Sequence, residues 1–120
     1  EFISEAEKSP IGADGLIFLP TGEVLTYDRV ITSLATAYCD KGKTATGTQA
    51  RVGAIAVDPE YIPYGTRMFI VTNDGAYVYG ISTAEDCGAA IKGEELDLYF
   101  PTDPECWEFG VRMATIYFLD

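Results

Sequence analysis

Residues 66–83, TRMFIVTNDGAYVYGIST, carry the reading that decides the fold. Thr66–Thr72 and Ala76–Thr83 are rich in β-branched and aromatic residues and flank Asn73-Asp74-Gly75, so the stretch is expected to form a β-hairpin. Strand signals continue on both sides of it. Downstream, Glu94–Phe100 alternates, with Leu96, Leu98 and Phe100 pointing one way and Glu95, Asp97 and Tyr99 the other. Met113–Leu119 reads as a closing strand. Upstream, Gly53–Val57 is short and apolar and stops at Asp58-Pro59, as a buried strand would, and Val30–Tyr38 is β-branched along its length. Leu16–Leu19 and Glu23–Tyr27 form a candidate peripheral hairpin around Pro20-Thr21-Gly22. Between these strands, Cys39–Val52 reads as a long loop and Pro59–Gly65 as a turn-rich connector. One helix is expected, Pro104–Phe109, with Asp103 as its N-cap and Gly110 as its stop. Six or seven short strands with a single helix describe a small, mostly β barrel or sandwich.

Composition narrows the function classes. The chain has 120 residues, 48% of them hydrophobic and 22% charged, which fits one ordinary globular domain. Nineteen acidic residues against eight basic ones give a net charge of −11, so no nucleic acid partner is expected. The longest apolar runs, such as Leu16–Leu19, fall far short of the roughly 20 residues that span a bilayer, so no membrane insertion is expected either. The chain opens at Glu1-Phe2 with no methionine, which leads to the expectation that a leader or anchor has been removed. Histidine is absent, and with it every Ser-His-Asp or Cys-His nucleophile, HExxH zinc site and imidazole proton shuttle. Acid–base chemistry then falls to Asp, Glu, Lys, Tyr or Cys with shifted pKa values. Cys39, Cys87 and Cys106 contain no CxxC pair and permit at most one intrachain disulfide, with three possible pairings.

Three aspartates stand in settings that favour desolvation: Asp58 closes a buried strand, Asp86 lies in the small-residue run AEDCGAAIKG, and Asp97 lies on the polar face of ELDLY. Each also has a plain reading: a turn cap before Pro59, an Asx turn before Cys87-Gly88, and a solvated strand position. Spacing alone leaves these alternatives open.

Four segments resemble a known family. TAYCDKGKTATG (36–47), GAIAVDPEYIPYGTRMFI (53–70), YGISTAEDCGAAIKGEELDLYF (79–100) and CWEFGVRMATIYFL (106–119) resemble, in sequence and order, the three-aspartate (3D) domain. That domain is similar to the catalytic barrel of membrane-bound lytic transglycosylase A and of stationary-phase survival proteins. The resemblance covers about Ile31–Leu119. It implies a double-psi β-barrel over 31–120 preceded by an extension over 1–30, acting outside the cytoplasm on peptidoglycan glycan strands as a monomer. It implies lytic cleavage of the bond between N-acetylmuramic acid and N-acetylglucosamine, with no cofactor and no metal. Asp97 would be the acid/base, Asp86 its partner and Asp58 a holder of the barrel turn. Tyr38, Thr46, Gly47, Tyr64, Gly88, Ala89, Lys92 and Tyr99 would line the substrate groove. Tyrosines of a small barrel are also ordinary core or rim residues, and Lys92 could equally pair with Glu94 or Glu95. Two positions depart from the family's run: Cys87 replaces a threonine and Ala89 a glycine. With Cys87 in a threonine's place, Cys39 and Cys106 become the expected disulfide pair. Two other readings stand beside the enzyme: a wall-binding module without turnover, and a carboxylate-bound metal hydrolase.

Overall fold

A computed structural model describes Ile11 and residues 15–119. Its seven strands and one helix are β1 (Leu16–Phe18), β2 (Val24–Tyr38), β3 (Ala54–Val57), β4 (Arg67–Thr72), β5 (Val78–Cys87), β6 (Leu96–Tyr99), α1 (Asp103–Phe109) and β7 (Arg112–Leu119). The sheet runs β1-β2-β6-β3-β5-β4-β7, and a further pairing of β2 with β7 closes six strands into a barrel with β1 outside it. Two parallel pairs, β2 with β6 and β3 with β5, sit among antiparallel neighbours. This crossed connectivity is that of the small double-psi barrel.

The hairpin around Asn73-Asp74-Gly75 forms as read. Thr72 Oγ1 and the Ala76 amide both donate to Asp74 Oδ1, at 2.8 and 2.9 Å, which fixes the turn. β4 then buries both faces. Met68 and Ile70 enter the barrel with Ile55, Val57, Leu96, Leu98, Phe100 and Ile116, while Phe69 and Val71 meet Ile17 and Val78 in a second apolar cluster. That second cluster lies beneath the β1–β2 hairpin, whose register is Leu16↔Thr26 to Phe18↔Val24. β2 runs without interruption from this hairpin into the barrel.

α1 differs from the reading in its cap. Thr102, not Asp103, is the N-cap, its hydroxyl accepting from the Glu105 amide at 3.4 Å. Pro104 therefore sits inside the first turn, where its missing N–H is harmless. Gly110, at φ 62°, ends the helix by donating its amide to the Cys106 carbonyl at 2.9 Å. Phe109 anchors the helix in the barrel core. Among the described residues, no helix is long and apolar enough to cross a membrane.

Candidate active site

The barrel places Asp97 and Asp86 on either side of one alanine. Asp97 pairs with Thr36 of β2 on one side and with Ala56 of β3 on the other, and Ala56 pairs in turn with Asp86 of β5. Residues directly opposite across neighbouring strands project to the same face. Thr36, Asp97, Ala56 and Asp86 therefore form one row on one face, the two aspartates two strand spacings apart, about 10 Å between Cα atoms. The opposite face carries Ala35, Ile55, Leu96 and Leu98 into the core. A cleft of about 220 Å³ opens beside the row, lined among others by Thr36, Ala90, Ile91, Glu95 and Asp97.

Asp86 reaches this row through an irregularity. Ala54 pairs with Thr83 and Ile55 with Ala84, yet Ala56 pairs with Asp86, so Glu85 is an extra residue in β5. A one-residue slip of register turns every following side chain to the other face, and a bulge does this locally. Without it, Asp86 would point away from the row that Asp97 occupies. The strand, expected from the sequence over Ala76–Thr83, thus runs on through AEDC to Cys87.

The two carboxylates have unlike surroundings. Asp97 is half-buried and accepts a hydrogen bond from Thr36 Oγ1 at 2.8 Å. Burial pushes its pKa up, the Thr36 bond opposes this, and the nearby carboxylates of Asp40 and Asp86 add to the rise. Asp86 Oδ1 accepts from the Ala45 amide at 3.0 Å and from the Cys87 amide at 2.9 Å. Asp58 lies outside this row. Its carboxylate accepts from the Glu60 amide (3.1 Å) in its own turn and from the Gly93 amide (3.0 Å) in the loop before β6. The backbone donors Gly93 and Glu60 hold its pKa down.

The remaining residues divide between rim and scaffold. Tyr38 and Tyr99 pack edge to face at 5.5 Å on the row's own face, and Tyr38 Oη donates to the Ala54 carbonyl at 2.8 Å. Burial, and after it the Asp86 carboxylate, raises the Tyr38 pKa. Tyr99 is buried, so its ring is a packing element. Tyr64 is exposed beside the Cys87 thiol, whose hydrogen bond raises the tyrosine's pKa. Thr46 Oγ1 donates to the Glu85 carbonyl at 3.0 Å, and Gly47 turns the same loop at φ 91°. Gly88, Ala89 and Lys92 line an exposed turn, with the Ile91 amide donating to the Gly88 carbonyl at 3.0 Å. Lys92 forms no ion pair among the described residues, and Glu94 is instead approached by Arg29 at 3.8 Å.

All three cysteines are thiols in the structure, so the Cys39–Cys106 bridge is not formed in it. The Cys39 thiol instead donates to Asp103 Oδ1 at 2.6 Å, and this bond pushes its pKa up to about 12. Cys106, one helical turn beyond Asp103, lies within hydrogen-bonding reach of Cys39, whereas Cys87 neighbours Tyr64. No cluster of three or more metal-ligating side chains occurs among the described residues.

Sequence reading missed Asp40, Thr36 and the Arg51–Glu85 pair. Thr36 was within reach, because it lies two residues before Tyr38 and strand alternation puts both on one face. Asp40 is carried to Asp97 by the loop after β2, which no local pattern records.

Fold and site together define a class, a small closed β-barrel with two carboxylates in one row on one face of the sheet. The chain belongs to the 3D domain family, which matches residues 53–120, more than half of its length. It is 34% identical over 99 residues to the cell wall-binding protein YocH of Bacillus subtilis, covering 75% of this chain and 32% of that one. YabE of the same organism, named for cell wall shaping, is 33% identical over 104 residues, 83% of this chain and 24% of the relative. The chain thus spans about a quarter to a third of the curated relatives it matches. Among solved structures, MltA from E. coli superposes with a TM-score of 0.55 at 26% identity, over 68% of this chain and 28% of that one. LtgG, a lytic transglycosylase of Burkholderia pseudomallei, gives 0.56 at 27% identity, over 68% and 27%.

Proposed function

We propose that this domain is a lytic transglycosylase that cuts the glycan strands of peptidoglycan outside the cytoplasm, with Asp97 as both acid and base. One observation carries the reading: a half-buried carboxyl with a raised pKa faces the groove, in one row with a second carboxylate. A group that must first give a proton and then retake it works best when its pKa lies near the operating pH.

The Asp97 carboxyl donates its proton to the glycosidic oxygen as the bond from the muramic anomeric carbon breaks. The N-acetylglucosamine end leaves as an alcohol. The Asp97 carboxylate then takes the proton of the muramic C6 hydroxyl, whose oxygen attacks the anomeric carbon and closes a 1,6-anhydro ring. Asp97 ends protonated, no water is consumed, and no second carboxylate acts as nucleophile or as a base for water, unlike in ordinary glycosidases. Thr36 orients the acid. Asp86 raises its proton affinity across Ala56 and offers its second oxygen to the sugar. Asp58 holds the loop before β6 by its bond to Gly93. The rim residues Tyr38, Thr46, Gly47, Tyr64, Gly88, Ala89 and Lys92 meet the glycan, and Tyr99 supports Tyr38.

Digestion of purified peptidoglycan tests this. Each released muramic end should be one water lighter than a hydrolysis product and should resist borohydride reduction, since the ring has no free reducing end. Reducible ends would make the domain a hydrolase, and loss of cleavage on adding a chelator would make it a metal enzyme. A wall-binding module is the second reading, favoured by the name of YocH and by the exposed Cys87 thiol next to Asp86. Wall binding without any soluble product would establish it.

A further inference from the structure

The bulge that aims Asp86 is held by groups that no strand pairing requires. Glu85, its extra residue, is buried at 8% exposure, although a lone buried carboxylate is costly. Arg51 meets it with two parallel bonds, Nη1 to Oε1 at 2.8 Å and Nη2 to Oε2 at 2.7 Å. Thr48 Oγ1 adds a third, at 2.5 Å to Oε1. The bulge also takes the Glu85 carbonyl out of the β3 ladder, and the Thr46 amide and hydroxyl supply its partners at 3.1 and 3.0 Å. Every one of these donors lies in the loop between β2 and β3. The same loop delivers the Ala45 amide to Asp86 Oδ1 at 3.0 Å.

We propose that Arg51 and Glu85 are positioning residues: their ion pair locks the loop onto the β5 bulge and thereby aims Asp86 onto the row it shares with Asp97. The consequence for catalysis rests on the glycan-cleaving reading above, while the structural consequence stands without it. A bidentate guanidinium–carboxylate pair fixes orientation as well as distance, which an ammonium cannot do. Releasing it frees the loop, the Ala45 donor and the bulge together.

Arg51→Ala and Arg51→Lys test the proposal by amide hydrogen exchange and by turnover. In Arg51→Ala, the Ala45 and Thr46 amides are expected to lose protection while those of the β4–β7 ladder keep theirs. Turnover on peptidoglycan is expected to fall about 10²-fold, the scale for a group displaced by about 1 Å, with a smaller rise in KM because Thr46 and Gly47 of the freed loop meet the glycan. Arg51→Lys should show partial loss of protection and partial recovery of rate, and it decides the matter if the alanine variant fails to fold. If wild type itself releases no product, the functional reading fails and the exchange experiment still judges the lock. Unchanged protection of Ala45 and Thr46 in the folded variants, or a rise in KM with normal kcat, would overturn it.

Discussion

Asp97 and Asp86 sit in one row, yet opposite kinds of structure put them there. Asp97 lies in regular pairing, between Thr36 and Ala56, and its position follows from strand alternation. Asp86 lies just past a bulge and is aimed by a loop more than thirty positions earlier in the chain. The electrostatics differ as well. Burial raises the Asp97 pKa, whereas the Arg51 guanidinium and the Thr48 hydroxyl hold that of Glu85, the bulge residue, down. The regular side supplies a group that holds a proton more tightly than a free aspartate, and the irregular side a framework that is held by its charge.

Covalent bracing of the regular side gives the largest expected change in stability. Oxidation with glutathione disulfide should join Cys39 at the end of β2 to Cys106 of α1, releasing two glutathione thiols, and leave Cys87 open to alkylation. A bridge between these positions is worth roughly 4–4.5 kcal/mol in the chain-entropy model. Because Cys39 is pushed up to about 12, thiolate is scarce and the reaction should quicken with rising pH. Peptide mapping that joins Cys87 to either partner, or finds three free thiols, would contradict this.

The irregular side should fail more gently and only in acid. Glu85 has a lowered pKa, so the native state binds its proton less readily than the unfolded chain does. Its stabilisation is complete above the unfolded glutamate value of ~4.3 and is lost as pH falls through the lowered native value. Arg51→Gln, which leaves that carboxylate buried without its charged partner, should cost about 1–3 kcal/mol at pH 7 and less in acid. Asp97 runs the other way. Its raised pKa contributes stability that is present below the unfolded aspartate value of ~3.9 and is lost as pH rises through the native value. Asp97→Asn should therefore leave the melting temperature at pH 7 unchanged or higher. Urea titrations at pH 4 and pH 7 separate the two behaviours, and a common pH response would erase the distinction.

The smallest effect sharpens the account of Asp97 itself. Asp40→Asn and Asp86→Asn should each lower the Asp97 pKa, with Asp40 the stronger, while burial keeps the value above that of a free aspartate. Carboxyl-carbon NMR titration of the three proteins checks the order, and a value unmoved by both would remove the electrostatic link.

The same contrast explains what could be read from sequence. The alternation Leu96-Asp97-Leu98-Tyr99 and the Asn73-Asp74-Gly75 turn are local, and the structure follows both. β4 hid its two-sided burial because Phe69 and Val71 face the second cluster under a hairpin distant in sequence. The bulge at Glu85 was invisible because its causes, Arg51 and the loop threonines, lie more than thirty positions earlier. Asp58 before Pro59 marks a turn in the sequence, and the geometry gives it two backbone donors from two loops. Asp103 was displaced as cap by Thr102, one residue earlier, because the helix begins one residue sooner than Pro104 indicates.

The central claim is that Asp97 moves the proton, and a side-by-side digestion tests it most directly. Wild type, Asp97→Asn and Asp86→Asn, each confirmed folded, would be given the same peptidoglycan, with release of anhydro-muramic ends followed over time and wall binding measured in parallel. Asp97→Asn should lose ~10²–10⁴ in turnover while still binding the wall, and Asp86→Asn should lose less. Near-normal turnover in Asp97→Asn, with Asp86→Asn folded but inactive, would contradict the account and place the proton on the other side of Ala56.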